Sequence, residues 1–395
     1  MRPIALYVHI PYCPRKCLYC DFNSHAGTAR AEHEAYVAAL EREMEHWARR
    51  FASGRLPAPA PGFPAGDPVV PTVFVGGGTP TQLDADLLAR VVRRVRELFP
   101  VAPDAEFTVE ANPGSVDVEG EKLAAAREAG ANRISLGVQA VQDDLLRRLG
   151  RVHTAREAEE AVRLARLAGF RNLNLDLMYG LPGQTTDQFR ETLEWAVAQG
   201  PEHVSAYSLI VEEGTAFHAL YEAGRLSLPP EEEEEAMDRL AGSFLAAHGY
   251  ERYEVSNYAR PGYRCRHNLV YWRNEEYLGL GAGAHSYLGG RRFWNVRLPA
   301  AYRQAVRERG TAEEGGEALD LPVQMAETMI LGLRLTDGVE EERFLRRFGR
   351  SLAEVYGTVL GRLERAGLMA RAGGRWRLTP RGLRLGNRVW AEFLP

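Results

Sequence analysis

Three of the chain's four cysteines, Cys13, Cys17 and Cys20, fall within eight positions of "YVHIPYCPRKCLYCDFNSH", and the fourth, Cys265, lies far along the chain. Thiolates are soft, charged ligands, and three of them spaced three residues then two suit three corners of a [4Fe-4S] cluster. Three ligands for four irons leave one iron with an open coordination position. The competing chemistry is a tetrahedral zinc site, which needs a fourth ligand, and His9 and His25 stand near enough in sequence to supply it. The position where a further ligand would follow is Phe22. Clustered cysteines are not the evenly spread set of a secreted disulfide framework, so ligation in a reducing compartment is expected.

Other residues of chemical interest stand at the ends of short β-rich runs. "GGGTP" covers Gly76, Gly77, Gly78, Thr79 and Pro80. Glycines without a Cβ let backbone carbonyls approach an ammonium group, although the same five residues also suit a plain tight turn. Glu110 in "TVEANP", Gln139 in "SLGVQ", Arg151 and Asp176 in "LNLDLMYG" follow. A ligand with an ammonium, a carboxylate and a ribose diol needs such a set, and each residue alone reads equally well as a salt bridge or a cap.

The elements that position these residues alternate. Apolar runs at 4–10, 72–78, 106–112, 132–139, 172–180 and 203–210 are separated by helical patterns, β then α six times, which predicts a parallel sheet. A doubly wound sheet fits this order too. The polar and glycine-rich residues, however, fall at the C-terminal ends of the runs, where a barrel builds its site. The expected fold class is therefore α/β, a partial (β/α)6 TIM-like barrel over residues 1–225, open on one side to suit a large substrate. "GRLPAPAPGFPAGDP" at 54–68 reads as a surface loop. Residues 226–320 begin with an acidic helix and continue through a stretch rich in aromatics, glycine and histidine, expected as loop covering the barrel mouth. Residues 321–395 read as three helices (322–334, 340–348, 351–366), a hairpin through Gly373 and Gly374, and a last helix, a winged-helix-like α+β unit.

With 395 residues, 45% hydrophobic and 26% charged, the composition is that of a globular chain. No apolar run approaches the roughly 20 residues that cross a bilayer, and the first residues lack the pattern of a signal peptide, so a cytoplasmic location is expected. Net charge is −4, but twelve arginines from Arg343 onward face only Glu354, Glu364 and Glu392. A basic face of this kind marks an anionic partner or a solvated surface. A protein-contacting winged helix is the preferred reading, with no nucleic acid and with membrane contact only a possibility.

The cysteine spacing, with Tyr19 before the third cysteine, resembles the radical S-adenosylmethionine superfamily. "YVHIPYC", "GGGTP", "EANP", "GVQ" and "DLMYGLPGQT" together resemble its HemN/HemW family across nearly the whole chain. The resemblance implies a [4Fe-4S] cluster on Cys13, Cys17 and Cys20, with the amino and carboxylate groups of S-adenosylmethionine on the open iron. It puts Tyr19 near the adenine and Tyr7, Gly76, Gly77, Gly78 and Thr79 among the binding residues. Glu110 and Asp176 would meet ribose hydroxyls or the amino group, and Gln139 and Arg151 the carboxylate. The family's coproporphyrinogen III dehydrogenases carry a fourth cysteine where Phe22 stands, and an N-terminal extension. Both differences, with "CDFNSH" and an HNxxYW motif at His267, Asn268, Tyr271 and Trp272, point to the haem-chaperone branch.

The implied function is to bind haem and hand it to an acceptor protein. The alternative is oxygen-independent oxidative decarboxylation of coproporphyrinogen III. His267 is the expected haem contact, since imidazole is a common axial ligand, with Tyr271 and Trp272 flanking the ring. The competing reading is a histidine satisfied by hydrogen bonds beneath an aromatic cluster. Cys265 and His285 in "GAGAHS" are rival ligands.

Overall fold

The computed structural model describes residues 1–117 and 119–394. Six strands run parallel in the order of the chain: β1 (Ala5–Ile10), β2 (Pro68–Gly77), β3 (Val101–Ala111), β4 (Arg133–Gln139), β5 (Leu173–Tyr179) and β6 (His203–Ser208). Helices α1 (Arg30–Ala52), α2 (Ala85–Leu98), α3 (Glu121–Ala129), α4 (Ala155–Leu167), α5 (Thr186–Ala198) and α6 (Glu231–Ala247) follow the strands in turn. α4 and α5 start at capping boxes, in which Thr154 and Thr185 accept from the third helical N–H and Glu157 and Gln188 reach back.

Alternation along the strands explains the shape. Val73 and Val75, Phe107 and Val109, Ile134 and Leu136, and Leu173 and Leu175 turn outward into one apolar core with the helices. Their neighbours Thr72 and Phe74, Glu106, Thr108 and Glu110, Arg133 and Ser135, and Asn174 and Asp176 turn inward. The interior is therefore polar and held by side-chain hydrogen bonds. Asn174 donates to Ser135 Oγ (2.8 Å) and accepts from His203 Nδ1 (2.6 Å), and Tyr253 bonds the other nitrogen of His203 (2.9 Å).

The sheet does not close on itself; it extends. β7 (Asn257–Ala259) pairs antiparallel with β6. At the opposite edge β8 (Tyr277–Leu280) runs parallel to β1, and β9 (His285–Leu288), β10 (Arg291–Asn295) and β11 (Glu313–Ala318) continue antiparallel. This corrects the expectation for residues 226–320, which add strands to both edges of the barrel sheet rather than forming a loop-like cover. The buried pair Arg2–Glu276 (2.6 Å) ties the first residues to the start of β8.

Residues 321–394 build a second apolar cluster around Met329, Phe344, Leu360 and Trp376. Helices α8 (Leu321–Gly332), α9 (Glu341–Phe348) and α10 (Leu352–Arg365) accompany a small sheet of β12 (Val339–Glu340), which lies between α8 and α9, β13 (Met369–Ala372) and β14 (Arg375–Leu378). Gly373 and Gly374 both have positive φ, 57° and 71°, which a two-residue hairpin turn requires. Five of the twelve late arginines, Arg343, Arg346, Arg362, Arg371 and Arg375, are in ion pairs, and Arg347 is buried over Phe63.

Glu43 on α1 is fully buried and accepts from Gly281 N (2.8 Å), Asn295 Nδ2 (2.7 Å) and Tyr302 OH (2.7 Å), locking α1 to the turn after β8. Burial pushes its carboxyl up to about 7 from 4.5. The folded state therefore favours the protonated form. Its contribution is complete below pH 4.5 and is lost as pH rises to about 7. Glu43→Gln is expected to gain on wild type by up to about 3 kcal/mol across that window, read as the difference between the two unfolding curves at pH 5 and pH 7.5. A pH-independent difference would contradict this.

Candidate functional site

The loop after β1 carries the three cysteines and is held from several sides. Leu18 N donates to Leu149 O (3.0 Å), Thr79 N to Tyr12 O (2.7 Å), and Asn23 Nδ2 to both Ala282 O (3.0 Å) and Arg297 O (2.9 Å). Cys13 Sγ lies 3.4 Å from Thr79 Oγ1, and Arg151 Nη1 donates to Cys17 Sγ at 3.6 Å. Burial pushes the thiols of Cys13 and Cys20 up, the latter to about 11. Metal ligation requires that these protons be lost. His9 is not a free fourth ligand, because its ring nitrogens meet Tyr7 OH (2.9 Å) and Asn23 O (2.8 Å).

Beside the loop lies a cavity of about 370 Å³, lined by all three cysteines together with Tyr19, Gly77, Gly78, Thr79, Glu110, Gln139, Arg151 and Asp176. Most of the residues expected from the sequence thus meet in one place. Gln139 has φ of +70° at an irregularity between β4 and β5, a costly backbone for a residue with a Cβ and one found at functional sites. The Arg151 guanidinium donates to Gly137 O, while its Nε is buried without a partner. Among the described residues Glu110 accepts only from Gly77 N (3.2 Å), and burial, reinforced by Asp176, pushes its carboxyl up to about 8. Asp176 accepts from Ser135 Oγ (2.8 Å) and Asn174 Nδ2 (2.9 Å) and keeps lone pairs for a ligand.

The glycines have a reason besides the one expected. A Cβ on Gly76 would lie 2.5 Å from Glu110 Oε2, one on Gly77 would lie 2.3 Å from the His9 ring, and one on Gly78 would lie 2.7 Å from Tyr12 O. The protein's own packing excludes side chains there, and Gly77 also needs its φ of +109°. Gly76 does not line the cavity, and Tyr7 lines the neighbouring one.

That second cavity, about 800 Å³, shares Asp21, Phe22, Gly77 and Glu110 with the first. Tyr7, Phe74, Tyr271 and Tyr277 line it from the barrel side, His285 and Trp294 from β9 and β10, and Arg297 from the segment beyond. Phe22 is 59% exposed. Of these residues Phe74, Tyr277, Trp294 and Arg297 were not singled out from sequence. The signal was present in "HSYLGGRRFWN", where Gly289-Gly290 marks a hairpin.

Comparison with known proteins identifies the lineage. Residues 7–196 match the Radical SAM superfamily and residues 319–385 the HemN C-terminal domain. The heme chaperone HemW of Bacillus subtilis (strain 168) is 41% identical over 391 residues, 99% of each chain. The chain belongs to the HemW family. A heme chaperone HemW of Mycobacterium tuberculosis (strain ATCC 25618 / H37Rv) is 38% identical over all of this chain and 95% of its own. Among solved structures, coproporphyrinogen III oxidase (HemN) from Escherichia coli superposes with a TM-score of 0.82 at 25% identity, covering 99% of this chain and 90% of that one.

In this HemW-family chain the HNxxYW residues do not gather around one flat ring. They lie on a short helix, α7 (Arg266–Trp272), whose first N–H groups are accepted by Glu106 at 3.0 Å. His267 is fully buried, with Nδ1 3.0 Å from Thr72 Oγ1 and Nε2 2.9 Å from Tyr271 OH. Thr72 precedes Gly77 by five residues, roughly 16 Å along a strand, so the helix plugs the end of the barrel away from the cysteines. The expectation that His267 meets haem iron is corrected accordingly: no ring nitrogen is available in this arrangement. Cys265 is also buried, and its thiol donates to Glu106 Oε1 (3.5 Å). Trp272 faces the C-terminal helices, with Arg334 over its ring at 4.5 Å. Only Tyr271 reaches the larger cavity.

Proposed function

We propose that this HemW-family chain binds haem and passes it to an acceptor protein, with a [4Fe-4S] cluster on Cys13, Cys17 and Cys20 and exchangeable S-adenosylmethionine in the smaller cavity. The observation that carries the reading is the end-to-end identity with the Bacillus subtilis heme chaperone, at 41% over 99% of both chains. The residues present fit the two cofactors. Three half-buried thiols share one loop, and among the described residues the buried Arg151 Nε has no partner and Glu110 has a single hydrogen bond. When bound, the cluster supplies an open iron for the amino and carboxylate groups of S-adenosylmethionine.

The chain's own residues would do the rest. Arg151 and Gln139 orient a carboxylate, the guanidinium being suited to bidentate pairing. Asp176 accepts from a ribose hydroxyl or an ammonium. Glu110, which lines both cavities, meets a ribose hydroxyl or the amino group. Tyr19 packs beside Phe217 (6.5 Å between centroids) and offers its ring to an adenine. The acceptor is a haem-binding protein met in the cytoplasm, and the C-terminal unit is the surface offered to it. No described helix is long and apolar enough to cross a membrane.

A second reading, coproporphyrinogen III oxidation, is favoured by the likeness to HemN, with its TM-score of 0.82. Anaerobic incubation of cluster-loaded protein with coproporphyrinogen III, S-adenosylmethionine and a reductant separates the two. The chaperone reading predicts no decarboxylated porphyrinogen. Sustained turnover would put the oxidase reading first.

A further inference from the structure

Building on the haem reading, we propose that the larger cavity is the haem site, with His285 as the axial ligand, Trp294 against the ring and Arg297 on a propionate. The volume of about 800 Å³ suits a flat macrocycle and lies toward the upper end for ligand pockets, which run from roughly 300 to 1,000 Å³.

His285 differs from His9 and His267. Both ring nitrogens of His9 and of His267 are engaged by protein groups. The His285 ring lines the cavity, is exposed, and has no hydrogen-bond partner among the described residues. Burial, Arg292 and Arg297 hold its pKa down, so near neutral pH the imidazole keeps a lone pair for iron. Trp294 is its register partner across β9 and β10, with ring centroids 5.8 Å apart and planes 30° from parallel. Rings this close to parallel stand edge-on together to a macrocycle bound by the imidazole, so Trp294 meets it with an indole edge.

Arg297 is exposed and makes no ion pair among the described residues, unlike Arg291 and Arg292, which are paired with Glu313 and with Glu317 and Glu327. Its backbone is held by Asn23 of the cysteine loop (2.9 Å). A guanidinium carried on this anchored backbone at the rim fits a carboxylate. Phe22, exposed where both cavities meet, gives an apolar edge to a ring in one cavity and a wall to the other. Haem placed here is a direct neighbour of the cluster loop.

The test is an anaerobic titration of ferric haem into cluster-loaded wild type, His285→Ala and Arg297→Glu, followed in the Soret band. His285→Ala is expected to bind at least about tenfold more weakly with a shifted band, and added imidazole to restore the wild-type band. Arg297→Glu is expected to bind several-fold more weakly with the band unchanged. The charge reversal is on an exposed side chain and gives a readout should His285→Ala fail to fold. Wild-type binding with both variants unaltered would overturn this placement and leave the haem reading standing. No saturable binding by wild type would overturn both.

Discussion

Cys17→Ala is expected to leave a folded chain that holds no cluster. Cys17 is half-buried on a loop, outside the apolar cores, and its thiol accepts a long hydrogen bond from Arg151. The cost to stability should be small, within about 1 kcal/mol, as for a surface substitution. Ligation is a different matter: removing one of three thiolates takes a cluster with an already open iron to two protein ligands. After anaerobic reconstitution, wild type should carry roughly four irons and four sulfides per chain, and the variant close to none, with an unchanged far-ultraviolet spectrum. Full iron content in the variant would contradict ligation by this triad.

His267→Ala is expected to produce the opposite pattern, a large loss of stability with the haem spectrum retained. The substitution empties a fully buried site and strands the hydroxyls of Thr72 and Tyr271. Cavity and unpaired polar groups together should cost about 3 to 5 kcal/mol. The effect has a pH signature. Burial, helped by Arg133, lowers the His267 pKa to about 3 from 6.5, so the ring is neutral in the folded state. That contribution is present above pH 6.5 and is lost as pH falls toward 3. The gap between wild type and variant should therefore be widest above pH 6.5 and shrink on acidification. His267→Gln keeps part of the hydrogen bonding and should fall between the two. A variant of wild-type stability whose Soret band has moved would instead make His267 the iron ligand.

Much of the architecture could be read from the chain because barrel strands write a local pattern. Val73, Val75, Phe107 and Val109 alternate with inward polar residues, and the glycines and carboxylates fall at strand ends where the site is built. The cysteine loop and its partners Thr79, Glu110, Gln139, Arg151 and Asp176 were picked out by residue type, position and family resemblance, and the structure brings them to one cavity. What could not be read was which end of the barrel a distant segment reaches. "HNLVYW" has the residues of a flat-ring site, but a single buried acceptor, Glu106, draws that helix to the barrel's other end. β8 to β10 were missed for another reason. Aromatics and glycines suggest loop by composition, while pairing with β1 depends on partners some 270 residues apart. The register of the β9–β10 hairpin places His285 opposite Trp294, which makes the larger cavity chemically distinctive.

The most direct test of the central claim is the stoichiometry of haem binding by the wild-type, cluster-loaded protein under anaerobic conditions. Ferric haem is added stepwise, free haem is removed by gel filtration, and haem and iron-sulfur content are measured on the same fractions. The account predicts a saturable Soret signal at about one haem per chain, travelling with the folded monomeric mass or a multiple of it and present alongside the cluster. A haem content that rises without saturation, or that is absent from the protein peak, would contradict it.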